Sequence, residues 1–175
     1  GGGIFRSHTL ELGSEDDKLL RQMTTDVLKA FGMNFSASHT EFIKANEDGQ
    51  FYFLETSSRV GGANLAEMVE YASGINLWKE WAKIESATAQ GKTYQLPTIN
   101  YTYAGIIVSL SRFEHPDTSG FNAPELVWRM DKKQHIGFIV QSSDREKVLS
   151  LLDEYAYRIH KDFHASAPAQ DELTH

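Results

Sequence analysis

Apolar and polar residues alternate with a period that changes along the chain, and each change marks an element. Ile4-Phe5-Arg6-Ser7-His8-Thr9-Leu10 reads as an opening strand. Ser14 then offers an N-cap, with acidic Glu15, Asp16 and Asp17 in the following turn, where a helix dipole favours negative charge. Leu19, Leu20, Met23, Val27 and Leu28 recur at helical spacing until Gly32. The period drops to two at His39-Thr40-Glu41-Phe42-Ile43 and again at Phe51-Tyr52-Phe53-Leu54-Glu55, across the acidic turn Asn46-Glu47-Asp48-Gly49-Gln50. That is a β-hairpin signature. Helical spacing returns over about residues 64–72 and 77–87, broken at Ser73-Gly74, and residues 90–100 read as a linker around Gly91 and Pro97. Three more strands follow at 101–111, 125–130 and 135–140, with a loop over 114–122. A helix over about 144–163 closes the chain with Val148, Leu149, Leu152, Tyr155 and Ile159 as its apolar stripe. The order predicts an α+β fold.

The hairpin carries the candidate chemistry. A three-residue loop Glu47-Asp48-Gly49 with a left-handed Gly49 places Glu41 opposite Glu55, His39 opposite Ser57 and Ile43 opposite Phe53. His39, Glu41, Glu55 and Ser57 then share one face. Apolar residues fall on both faces, Phe42 with Leu54 and Ile43 with Phe53, so the hairpin is expected to be buried. Facing like charges are destabilising, and buried unpaired carboxylates more so, which calls for a cation between them. Magnesium, which takes one or two carboxylates and completes its shell with phosphate oxygens, suits such a pair. Arg59 offers a planar fork for a carboxylate or phosphate, and Gly61-Gly62 lets a backbone come close to a ligand. A transition-metal set of two histidines and a carboxylate would need a second histidine, which the sequence does not supply nearby. A solvated hairpin whose glutamates face water is the plain alternative.

These residues resemble a known pattern. Glu41-Phe42-Ile43, followed by the run from Phe51 to Arg59, resembles the metal-binding hairpin of the ATP-grasp superfamily. Gly61-Gly62 and Gly74-Ile75-Asn76-Leu77-Trp78 resemble its carboxylate–amine (amino-acid) ligase branch. The resemblance is specific over about residues 30–80 and looser toward residue 160. It implies the carboxy-terminal half of an ATP-grasp fold, an antiparallel sheet with flanking helices, plus a small β-rich lobe. It further implies that Glu41, Glu55 and Ser57 hold the magnesium ions that bridge the ATP phosphates, and that Arg59 acts at the acyl phosphate. Leu54 and Ile43 would lie by the nucleotide; Gly61, Gly62 and His39 would meet the substrate. Ser57 departs from the family's usual asparagine, so a hydroxyl stands at the position of the third metal ligand. Ala63 stands where biotin carboxylase has a glutamate serving bicarbonate, against a carboxylase.

The implied boundaries are residues 1–90 for the ATP-grasp portion, 91–164 for the lobe and 165–175 for a mobile tail. Enzymes of this family are considerably longer, and no Gly-x-x-x-x-Gly-Lys-Ser/Thr loop substitutes here for the phosphate-binding lid they carry earlier in the chain. The reading is therefore a carboxy-terminal fragment, inactive alone, of an enzyme joining a small carboxylate to an amine with ATP and magnesium. A non-catalytic nucleotide- or peptide-binding module that kept the fold is the alternative.

Composition narrows the partners. A net charge of −7 disfavours nonspecific binding to nucleic acid or acidic membrane, and no apolar run approaches a membrane span. The absence of cysteine removes disulfides and thiolate chemistry and fits a cytoplasmic setting. Trp78 and Trp81, three apart on one helix, suit a core or a subunit interface, so a homodimer is among the expected assemblies. His115-Pro116-Asp117 reads as a turn.

Overall fold

The structure, a computed structural model, describes residues 3–165. It is an α+β fold in which the chain divides into two compact units. One comprises residues 10–100; the other joins the described residues before 10 to those from 101 onward. The sequence grouped the first strand with residues up to 90. Its partner instead lies in the later lobe: β1 (Phe5–His8) pairs antiparallel with β4 (Tyr103–Leu110), Arg6 facing Ile107.

In that lobe the sheet order is β1-β4-β6-β5, with β5 at Leu126–Arg129 and β6 at His135–Ser142. Every pairing is antiparallel. Helix α4 (Arg145–Asp162) packs on one face and buries Val148, Leu151, Leu152, Tyr155 and Ile159, so that Leu151 and not Leu149 belongs to the buried stripe. These meet Ile107, Ile136, Phe138 and Val140 of the sheet. Gly105 is what permits so close an approach. A Cβ there would stand 2.5 Å from Leu152 Cδ1 and 2.9 Å from Val148 Cγ1.

The loop between β4 and β5 contributes the ring at the centre of this core. Phe121 is 1% exposed, with its centroid 4.5 Å from Phe138 and 4.9 Å from Tyr155 in an edge-on arrangement. Arg158 covers its other face, 3.9 Å from the centroid, and donates to the Gly120 carbonyl at 2.8 Å. Arg129 donates to the Thr118 carbonyl at 2.7 Å. The loop is thus fastened by a buried aromatic and two guanidinium groups.

The unit of residues 10–100 holds α1 (Glu15–Ala30), the hairpin β2 (His39–Lys44) and β3 (Phe51–Ser57), α2 (Leu65–Ser73) and α3 (Leu77–Ala89). Ser14 caps α1 as expected, its Oγ accepting from the Asp17 amide at 3.2 Å, while the Asp17 carboxylate accepts from the Gly13 amide at 3.0 Å. The Gly13 N–H, with Arg21 beside it, holds the Asp17 carboxyl below its ordinary range. None of the apolar stripe of α1 is fully buried. Residues 90–100, read as a linker, belong to this unit. Tyr94 donates from its hydroxyl to Glu80 Oε2 at 2.7 Å, Lys83 donates to Glu80 Oε1 at 2.8 Å, and the Asn100 amide donates to the Ser73 carbonyl at 2.8 Å. The segment is tied to α3 by Tyr94 and to α2 by Asn100.

Two measurements check these contacts. Gly105→Ala is expected to destabilise the chain by about 1–3 kcal/mol in denaturant unfolding, because the new methyl overpacks the α4 interface. Tyr94→Phe is expected to lower the melting temperature by leaving Glu80 without its hydroxyl donor. Burial, and then the bond to Glu80, push the Tyr94 phenol up to about 12 from an ordinary 10.0. A raised folded-state value means the stabilisation is complete below pH 10 and is lost as pH rises toward 12, so wild type and Tyr94→Phe should converge across that window.

Candidate functional site

The turn of the β2–β3 hairpin is one residue longer than expected. Ala45 and Gln50 close it with a 2.8 Å amide-to-carbonyl bond, leaving residues 46–49 as the loop, and the Gly49 amide returns to the Ala45 carbonyl at 3.0 Å. Gly49 is left-handed, with φ +69°, as predicted. Asp48 finishes the turn by accepting from the Gln50 amide at 2.8 Å and from the Tyr52 hydroxyl at 2.7 Å. The Tyr52 hydroxyl chiefly, with the Gln50 amide, keeps the Asp48 carboxyl below its ordinary range.

A longer loop shifts the pairing by one, so that Lys44 faces Phe51, Ile43 faces Tyr52 and Phe42 faces Phe53. The register then slips between Glu41 and Phe42, leaving Leu54 unmatched as a β-bulge. Beyond the bulge, Glu41 faces Glu55, Thr40 faces Thr56 and His39 faces Ser57. The two predicted pairs that matter to the site, Glu41–Glu55 and His39–Ser57, therefore form, whereas Ile43–Phe53 does not. Phe53 shares a face with Phe42, their ring centroids 6.1 Å apart and edge-on. Thr40 and Thr56 hydroxyls meet at 2.8 Å on that same face. Glu41 and Glu55 project from the opposite face together with His39 and Ser57.

Burial differs from expectation. Ile43 is 53% exposed, Tyr52 55%, Phe53 41% and Leu54 53%. Glu55 is exposed too. A two-stranded ribbon needs a layer on each apolar face, and α1 reaches it only locally. The Phe31 ring lies 6.1 Å from Phe53, and Lys44 bridges to Asp16 at 2.8 Å. The case for a cation therefore rests on two facing carboxylates and not on their burial.

The remaining candidates follow directly. Arg59, exposed, donates to the neighbouring Val60 carbonyl at 3.1 Å and does not reach the glutamates through any bond. Ser57 sits across from His39, whose Nε2 lies 3.1 Å from Glu41 Oε1. Gly61 packs against the His39 ring, whereas Gly62 is open, its carbonyl accepting from the Leu65 amide at 3.0 Å. Ala63 and Asn64 are both left-handed, with φ 53° and 58°. Nothing in an alanine advertises that conformation, which costs on the order of 1–3 kcal/mol per residue. The Trp78 and Trp81 rings lie tilted to one another on α3 with centroids 6.1 Å apart, and Trp81 Nε1 donates to Glu85 at 3.1 Å.

Among the described residues no group of three or more His, Cys, Asp or Glu side chains could hold a metal ion. The hairpin thus offers two hard oxygen donors and no closed cage. That donor set suits magnesium carried on phosphate oxygens better than a structural or transition metal.

No family model matches the sequence, and no curated protein matches it closely. Likeness appears in three dimensions. Phosphoribosylglycinamide synthetase from Anaerococcus prevotii superposes over 85% of this chain and 42% of its own, with a TM-score of 0.57 at 19% identity. L-amino acid ligase from Bacillus licheniformis superposes over 95% of this chain and 44% of its own, with a TM-score of 0.64 at 16% identity. The biotin carboxylase domain of a single-chain bacterial carboxylase superposes over 91% of this chain and 40% of its own, with a TM-score of 0.55 at 16% identity. The chain therefore has the ATP-grasp fold of these proteins and spans less than half the length of each. Among the described residues no helix is long and apolar enough to cross a membrane.

The geometry predicts a measurable repulsion. Without divalent cations, Glu55→Gln should raise the melting temperature, because it removes a like charge from directly opposite Glu41. The gain should shrink as salt screens the pair, and added magnesium should narrow the difference from wild type.

Proposed function

We propose that this chain is part of an ATP- and magnesium-dependent ligase that joins a small-molecule carboxylate to an amine. One observation carries the reading: Glu41 and Glu55 are cross-strand partners on a hairpin within a fold shared with ligases. In this reading Glu41 and Glu55, with Ser57 beside them, hold the cation, which when bound offsets phosphate charge. Phosphoryl transfer otherwise depends on positioning. The substrate carboxylate displaces ADP from the γ-phosphorus to give an acyl phosphate. The amine then displaces inorganic phosphate and loses a proton to form the amide. Arg59 would turn from the Val60 carbonyl toward the acyl phosphate, where its fork is geometrically suited. Leu54 and Ile43, both more than half exposed, would cover the nucleotide, and the Gly62 amide would face substrate. The cytoplasm is the proposed compartment, and a homodimer through the Trp78–Trp81 face the proposed assembly.

Because the chain spans less than half the length of the superposed enzymes, the activity is assigned to a longer protein, and the 175-residue chain alone is expected to turn over no ATP. A second reading, a nucleotide- or peptide-binding module without turnover, draws on Arg59 being engaged by Val60 and on serine at position 57.

Manganese, standing in for magnesium, tests the site on the chain itself. Paramagnetic broadening in NMR spectra should centre on residues 39–43 and 54–57, and Glu55→Gln should abolish it. Broadening spread evenly over the acidic surface would overturn the cation assignment. In the longer protein, sustained ADP production should require both a carboxylic acid and an amine, and Glu55→Gln should lower kcat by about a hundredfold or more. Nucleotide binding without turnover would favour the module.

A further inference from the structure

Gly61 and Gly62 are neighbours in sequence with opposite surroundings. A Cβ on Gly62 would meet nothing within 4 Å, whereas a Cβ on Gly61 would stand 2.5 Å from His39 Nδ1 and 3.1 Å from its Cε1. Real side chains do not tolerate such a distance, so the bare Cα of Gly61 forms a notch that the imidazole fills. The other ring nitrogen is committed as well. His39 Nε2 lies 3.1 Å from Glu41 Oε1, and because a carboxylate only accepts, the ring donates. The His39 side chain is 20% exposed and that of Glu41 44%, so the ring is the more enclosed member of the pair.

We infer that His39 is a positioning residue, wedged between the Gly61 backbone and the Glu41 carboxylate, and that it fixes Glu41 so that its second oxygen is left for a cation. This rests on the cation-binding reading of Glu41 and Glu55 and changes two of its parts. His39 is spent on Glu41 and is not a substrate contact, and Gly61 is small to admit the ring and not to admit a ligand. The wedge ties β2 to the segment after β3 through an aromatic ring. The position of Glu41 thus depends on a residue twenty positions away in sequence. Hydrogen bonds that hold a metal-bound carboxylate from behind commonly alter metal affinity by about 10–100-fold when removed. For a half-exposed carboxylate the lower end of that range applies.

Imidazole resonances in long-range proton–nitrogen NMR spectra, together with manganese titrations of the chain, test the inference. Gly61→Ala should move the His39 ring resonances, and Gly62→Ala should leave them in place. Glu41→Gln should move the Nε2 signal without touching the notch. His39→Ala should weaken manganese binding at the hairpin by about tenfold. His39→Gln, which retains a donor near the Nε2 position, should recover most of the loss. A ring signal unmoved by Gly61→Ala would overturn the inference, as would manganese affinity unchanged in His39→Ala. If wild type shows no manganese effect at the hairpin, the ligase reading falls instead. The Gly61→Ala and Glu41→Gln spectra still decide whether the ring is clamped.

Discussion

Two negative charges set opposite one another on a ribbon are the constraint from which the rest of this site follows. Glu41 and Glu55 are brought together by backbone pairing, which no side-chain rotation can undo. Cross-strand neighbours have Cβ atoms about 4.5–5.5 Å apart. At that separation two carboxylates either repel or share a cation, and the fold tolerates the arrangement only if something else holds the strands. The Thr40–Thr56 hydroxyl pair, the Phe42–Phe53 rings and the Lys44 ammonium over Phe51 at 5.0 Å supply that hold from the other face. The ribbon is bonded on one side and charged on the other.

Hydrophobic burial is unevenly divided between the two units. Most of the fully buried large side chains belong to the sheet and α4, and in the unit of residues 10–100 buried hydrophobics begin only at Val60 and continue through α2 to Ile75. A two-stranded hairpin is marginally stable on its own. The candidate site is therefore carried by the part of the molecule with the least packing behind it, where local opening costs least. His39 acquires significance in this setting. A ring lodged against the Gly61 backbone gives the acidic face an anchor that does not depend on an apolar layer over the strands.

Much of the fold was legible because its elements are strongly patterned. The strands and helices fall within a few residues of where periodicity and caps put them, down to Ser14 at the start of α1 and the left-handed Gly49. Two of the misses, at Phe121 and at the linker, depend on contacts distant in sequence. A loop phenylalanine such as Phe121 carries no period, yet it lies at the centre of the later core because Arg158 and Arg129 fasten its loop. The linker of residues 90–100 has the breakers of a boundary, but Tyr94 and Asn100 bind it back to α3 and α2. The exposure of the hairpin was illegible for the opposite reason. Its sequence has the apolar content of a covered ribbon, and the described residues put no full layer over it.

The pairing of the two glutamates shows how a sequence reading reaches the right partners by the wrong route. A three-residue loop with unbroken pairing and a four-residue loop followed by one bulge both leave Glu41 across from Glu55. They differ in what lies between. Without a bulge, the four-residue loop would set Glu41 against Leu54 and turn Glu55 to the face of Thr40 and Phe42. The unmatched Leu54 is what returns Glu55 to the acidic face while Phe53 stays with Phe42 on the other. Bulges re-aim side chains in this way beside functional sites. Here the extra residue lets three successive positions serve separate ends, with an aromatic bracing the ribbon, a leucine released from the ladder and a carboxylate turned to meet its partner.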